Sequence, residues 1–221
     1  MRLSSESLIR TNGKKVPSTQ PGLSELCDAS KVVRSKPRIS LRSDPVTYVN
    51  EIEETQADPQ LRGIYGNIEQ NMGFLPHYFK ALGTMPDAIE GQLKLGAAVM
   101  NDGALTKTEK EQIGVVVSGI NASSYCLVIH MELLRRLGVE KGLARKLVND
   151  YENATVPDKM KALFRFANKL TRKPVEIEEE DINALKAAGW DDAAVRETVL
   201  TVAYFNYVNR VSLGLGLVED F

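Results

Sequence analysis

The apolar residues of this chain recur at helical spacing, and no stretch alternates in the two-residue rhythm of a half-buried strand. In PDKMKALFRFANKLTRK, Met160, Leu163, Phe164, Ala167 and Leu170 fall on one helical face, and Pro157 stands at its start. Other segments read the same way. PVTYVNEIEETQ is expected to be a helix with Pro45 near its first turn. DPQLRGIYGNIEQNMG should follow it, stopped by Gly73. A short helix is expected after Pro76, then PDAIEGQLKLGAAVMND, ended by Asn101, Asp102 and Gly103. Thr106 with Glu109 three residues later is a capping box that opens LTKTEKEQIGVVVSGI. Asn121 is placed to stop that helix, and Ser123 to cap the next, SSYCLVIHMELLRRLG, which Gly138 ends. VEKGLARKLVNDY and EEEDINALKAAGW are further helices. The C-terminal segment starting at Trp190 is apolar on so many sides that it should be buried, within the bundle or between subunits. The fold class is therefore all-α, with short connections that favour antiparallel neighbours.

The totals restrict function more than they define it. A net charge of -1 gives no basic surplus for nucleic acid or an anionic membrane. No run of eighteen apolar residues is present to span a bilayer. MRLSSESLIRTNGKK lacks the apolar core of a signal peptide, so a cytoplasmic location is expected. Residues 1–45 carry four prolines and many Ser, Thr, Lys and Arg, and read as a flexible or extended N-terminal tail. Residues 46–221 read as a single all-α domain. Two cysteines, Cys27 and Cys126, make no disulfide framework, and two histidines are too few and too scattered for zinc. No glycine-rich phosphate loop or clustered ligand set suggests a cofactor.

The chemistry concentrates in NASSYCLVIH. With Ser123 as N-cap, Cys126 falls at the third helical position, where unpaired N–H groups and the helix dipole favour a thiolate. His130 lies one turn further along the same face, able to take the thiol proton. On this spacing alone, an inert core cysteine and a satisfied core histidine are the commoner outcome. Glu111, on the preceding helix, reaches this pair only if the two helices fold back closely; otherwise it is one more solvated charge in KTEKEQ. His77 suits a packing or capping role and Trp190 a core position. Tyr204, Phe205, Asn206, Tyr207, Asn209 and Arg210 mix polar and aromatic groups on one helix. Arg210 is expected to pair with an acid of another helix or to line the pocket near Cys126.

The run from Leu105 to Gly138 resembles the core motif of the alkylhydroperoxidase D and carboxymuconolactone decarboxylase superfamily: a glutamate, eleven residues, CxxC, three residues and a histidine. Glu111, Ser123, Cys126 and His130 occupy those positions without a gap. GFLPHYFKAL and VLTVAYFNYVNRVSLGLGL resemble the longer, peroxidase-related branch, so the likeness covers residues 45–221. It implies an alkylhydroperoxidase D-like helical bundle, homo-oligomeric as a trimer or hexamer. It further implies a small-molecule hydroperoxide as substrate and an external thiol as reductant. Cys126 would be the attacking thiolate, His130 its proton partner and Glu111 the relay acid. Ser123 stands where the family carries its resolving thiol.

A serine cannot close a disulfide. Three outcomes follow: an external thiol resolves the oxidised Cys126, Cys27 supplies the missing sulfur, or turnover is weak. The alternatives to a peroxidase are a carboxymuconolactone decarboxylase-like enzyme, with His130 acting on a small carbon acid, and a non-redox oligomeric binding protein.

Overall fold

A computed structural model of the protein describes residues 47–220. Cys27, Pro45 and the tail expected over residues 1–45 lie outside the described residues. Among the described residues the elements are nine α-helices and three short 3-10 turns, with no strand. The helices are α1 (Pro59–Met72), α2 (His77–Ala81), α3 (Pro86–Met100), α4 (Lys107–Ile120), α5 (Ser124–Arg136), α6 (Lys141–Asp150), α7 (Asp158–Arg172), α8 (Glu179–Ala187) and α9 (Asp192–Gly214).

Local chemistry sets most of these limits. Asp58 accepts from the Leu61 amide at 2.8 Å and Pro59 occupies the first turn of α1, while Gly73, at φ 86°, closes it in the left-handed region. Thr106 and Glu109 form both halves of the capping box at the start of α4. The α4–α5 connection is tighter than the sequence suggested. Ala122 adopts φ 53°, and the Ser123 amide donates back to Ser118 O at 3.0 Å, a Schellman-type closure without glycine. Asn121 reaches from this turn to α9, where its amide donates to Asn206 Oδ1 at 3.0 Å and to Asn209 Oδ1 at 2.9 Å.

The core is organised on α4, which packs against α5, α6, α7 and α9. It is buried continuously from Lys110 to Ser118. Helix α9 buries Val202, Phe205 and Val208 but leaves Leu200, Tyr207 and Leu213 exposed. Phe164 and Phe205 are fully buried, and truncating either to alanine should cost about 3–5 kcal/mol.

PVTYVNEIEETQ is not a helix where it is described. Only Glu54–Gln56 makes a 3-10 turn. The Tyr48 amide donates to Leu215 O at 2.8 Å and the Ile52 amide to Lys80 O at 3.0 Å. Donors that a helix would use internally are committed to the ends of α9 and α2.

Candidate functional site

Helices α4 and α5 form an antiparallel hairpin, which brings Glu111 near the start of α4 beside His130 in the middle of α5. His130 Nδ1 lies 2.7 Å from Glu111 Oε2. Glu111 is only 3% exposed, so its carboxylate has left water for this one strong partner. With Nδ1–H donating to the carboxylate, Nε2 keeps its lone pair and is the nitrogen free to act as a base. Phe205 packs edge-on to the imidazole, with centroids 4.6 Å apart. Gly114 makes room for that ring: a Cβ there would lie 2.0 Å from Phe205 Cζ.

Cys126 falls at the third position of α5, as expected, and is 4% exposed. Among the described residues its sulfur makes no hydrogen bond to His130. Sγ lies 3.3 Å from Ser212 Oγ on α9. The Ser212 hydroxyl donates to Val208 O at 2.8 Å, so its oxygen offers Cys126 a lone pair and the thiol proton is the one shared. Cys126, His130 and Glu111 nevertheless line one cavity of about 420 Å³. The base and the sulfur thus share a chamber while each keeps a separate resting partner.

Tyr78, Tyr125 and Tyr204 line the cavity with Cys126. Tyr78 and Tyr207 both donate to Gln92 Oε1, at 2.7 and 3.3 Å. Tyr125, next to Cys126 in sequence, donates to Asp220 Oδ2 at 2.7 Å and accepts from the Tyr78 amide at 3.1 Å. Burial pushes Tyr78 and Tyr125 far above the ordinary phenol value, aided at Tyr125 by the Asp220 carboxylate. Burial likewise raises Tyr204 to about 12, against the lowering effect of its bond to Gln92. All three remain neutral donors at physiological pH.

Ser123 does not join this group. It holds the N-cap position at ψ 89°, where its side chain makes no cap hydrogen bond. Its Oγ is buried without a partner among the described residues, and the residue does not line the cavity. The expectation that Ser123 caps α5 through its hydroxyl is corrected: backbone closure of the turn, not the side chain, starts the helix. Arg210 is also reassigned. Among the described residues it pairs with no acid, and it does not line the cavity; it bonds Asn206 O and Oδ1 on its own helix, at 2.9 and 2.6 Å. His77 Nδ1 lies 2.8 Å from Glu51 Oε2, and its amide donates to Asp220 Oδ1 at 2.7 Å. Trp190 is buried and donates to Lys159 O at 2.8 Å.

Ser212, Gln92, Tyr125 and Asp220 are absent from the sequence-based candidates. A signal for Ser212 existed: Tyr204, Val208 and Ser212 recur every fourth residue of α9, and the first two line the cavity. Gln92 and Asp220 offered none, since their partners come from distant segments. Among the described residues no three His, Cys, Asp or Glu side chains are grouped to hold a metal ion. No described helix is long and apolar enough to cross a membrane.

Residues 86–149, from α3 to the end of α6, match the model of the carboxymuconolactone decarboxylase family. Solved structures similar to this chain include the alkylhydroperoxidase AhpD core of an uncharacterized peroxidase-related protein from Ralstonia eutropha JMP134. It is 28% identical with a TM-score of 0.74, over 80% of this chain and 93% of that one. An uncharacterized peroxidase-related protein from Silicibacter sp. TM1040 is 27% identical with a TM-score of 0.73, over 81% and 95% of the two chains. A variant of the debrominase Bmp8 in complex with 2,3,4-tribromopyrrole shares the fold at 20% identity and a TM-score of 0.67, over 77% and 90%. No curated protein sequence matches.

Proposed function

Because the chain belongs to the alkylhydroperoxidase D and carboxymuconolactone decarboxylase superfamily, we propose that it is a thiol-dependent peroxidase with Cys126 as its nucleophile. The observation that carries this reading is the shared cavity: a buried thiol and a carboxylate-oriented histidine line the same pocket. His130 Nε2 takes the Cys126 proton, and Glu111 holds the ring and steadies the imidazolium. The thiolate sulfur attacks one peroxide oxygen. The S–O bond forms as the O–O bond breaks, and the departing alkoxide recovers the proton from His130. The products are an alcohol and a sulfenic acid on Cys126.

Ser123 cannot resolve that sulfenic acid, so an external thiol does. Its sulfur displaces hydroxide, which leaves as water, to give a mixed disulfide. A second thiol then releases Cys126 and departs as a disulfide. The account includes homo-oligomerisation, as a trimer or hexamer, with Leu200, Tyr207 and Leu213 on α9 as apolar surface for a second copy to cover.

Hydroperoxide consumption with dithiothreitol as reductant tests the assignment. Wild type should turn over cumene hydroperoxide, and Cys126→Ser should not. Equal rates for the two proteins would reject the peroxidase. If Cys126→Ser were silent while His130→Ala abolished turnover of a lactone, the decarboxylase-like reading would replace it.

A further inference from the structure

The cavity has two chemically different ends. Along α5 its lining runs from Cys126 through Ile129, His130 and Leu133 to Arg136. Ten residues separate the first from the last, about 15 Å of helix axis. Cys126 is buried and Arg136 exposed, so the thiol lies at the closed end and the guanidinium at the open one. The hairpin puts a second cation there. Lys107, in the first turn of α4, runs antiparallel to the last turn of α5 and lines the same cavity. Between the two ends Phe74, Leu93, Met100, Ile129 and Leu133 give a largely apolar wall, interrupted by the His130–Glu111 pair.

The two cations at the mouth keep donors to spare. Glu132 is the acid lining that end, and Arg135, outside the lining, already grips it with two bonds of 2.7 and 2.8 Å. Arg136 gives Nε to Glu132 at 3.0 Å and one NH1 bond to Met72 O at 3.3 Å, which leaves guanidinium N–H groups unused. The Lys107 ammonium has no partner among the described residues. Two nearby acids keep their charge but turn oxygens to other donors: Asp102 accepts from the Lys107 amide at 2.6 Å, and Glu109 from Thr106. Lys107 and Arg136 therefore offer unused N–H donors at the rim of a largely apolar shaft.

We infer that the substrate of this site is an amphiphilic organic anion: an apolar body that fills the shaft and a carboxylate-like head held at the rim by Lys107 and Arg136. This rests on the peroxidase reading for the reacting group, a hydroperoxide carried on the apolar body. The binding geometry itself does not depend on the reaction. An ammonium and a guanidinium fork suit a carboxylate, and their distance from Cys126 favours a chain over a compact molecule. Lys107 and Arg136 are thus specificity residues, remote from the reacting atoms.

The test pairs linoleic acid hydroperoxide with its methyl ester, at concentrations where both are monomeric, and cumene hydroperoxide as a headless reference. Wild type should prefer the acid over the ester in kcat/KM on the order of tenfold, the combined worth of two half-exposed ion pairs. The preference should reside in KM and shrink with added salt. In Lys107→Met/Arg136→Met it should fall towards one. Calorimetric binding of laurate against lauramide, which carry no peroxide, should show the same ranking. If cumene hydroperoxide is reduced but acid and ester are handled alike, this inference fails and the peroxidase stands. If no hydroperoxide is reduced, yet laurate binds in a manner that Lys107 and Arg136 control, the anion site stands and the reaction assignment falls. Equal laurate and lauramide affinities, unchanged in the double variant, overturn the site.

Discussion

Lys110 and Glu111 are neighbours in sequence, almost equally buried, and each holds an oppositely charged partner. Lys110 Nζ lies 3.0 Å from Glu197 Oε2 and donates to Asn101 O at 2.5 Å. Glu197 in turn accepts from the Ala104 and Leu105 amides at 3.0 and 2.9 Å. Lys110 and Glu197 spend their recorded bonds on each other and on the loop backbone, and the group ties the α3–α4 loop to α9. Glu111 holds His130 alone, and the pair faces a cavity containing a thiol. Burial and pairing are common to both clusters, so neither marks a functional charge. What differs is the open side: one cluster spends all its hydrogen bonds on the fold, and the other keeps a ring nitrogen available.

The largest effect expected from breaking this contrast is at Glu111. Glu111→Gln removes the charge that steadies the imidazolium, and peroxidase kcat should fall by about 10²–10⁴-fold, the usual span for a general-base system. The protein should stay folded, as circular dichroism would report. Lys110→Ala should do the reverse. It strands Glu197 beside a buried wall and should cost about 3–5 kcal/mol in denaturant unfolding, with the specific activity of the folded fraction retained. Loss of activity without loss of stability in Lys110→Ala would erase the distinction.

A third, smaller effect lies in the acid limb of stability. Partial burial alone would raise the Glu197 carboxyl, but the Leu105 and Ala104 amides and the Lys110 ammonium outweigh it and hold it below its ordinary value. A carboxylate depressed in the folded state stabilises above its unfolded pKa, and that contribution fades as pH falls through the lowered folded value. Wild type should therefore lose stability below about pH 4. Glu197→Gln should start less stable at neutral pH and show a flatter decline there, measured by urea unfolding across pH. The smallest effect is at Ser123. A hydroxyl serving as a cap would cost about 0.5–2 kcal/mol on removal. A buried hydroxyl without a partner should cost nothing, so Ser123→Ala is expected to be neutral or slightly stabilising in thermal melts.

These residues also show where sequence was readable. The Thr106–Glu109 box, the Gly73 stop and the apolar face of α7 are local, and each appears in the fold as the spacing requires. The pairing of Glu111 with His130 was carried by the resemblance to the family motif; the residues alone left it open, and the α4–α5 hairpin brings the two together. Three features were not legible. The segment before Glu54 is governed by backbone bonds to Leu215 and Lys80, far along the chain. Ser212 shares a helical face with Tyr204 and Val208, but nothing local shows that it meets Cys126, 86 positions away. Ser123 looks like a cap in sequence, but the ψ of 89° turns its hydroxyl into the interior. Sequence carried local chemistry and one motif; the resting partner of the thiol is a property of packing.

The account stands most directly on whether Cys126 is the atom that peroxide oxidises under His130–Glu111 control. Intact-protein and peptide mass spectrometry, after one equivalent of cumene hydroperoxide with dimedone present, reads this without steady-state turnover. The predicted result is a single dimedone adduct on Cys126, formed quickly in wild type and much more slowly in Glu111→Gln. An unmodified Cys126 while hydroperoxide disappears, or equal labelling rates in the two proteins, would contradict it.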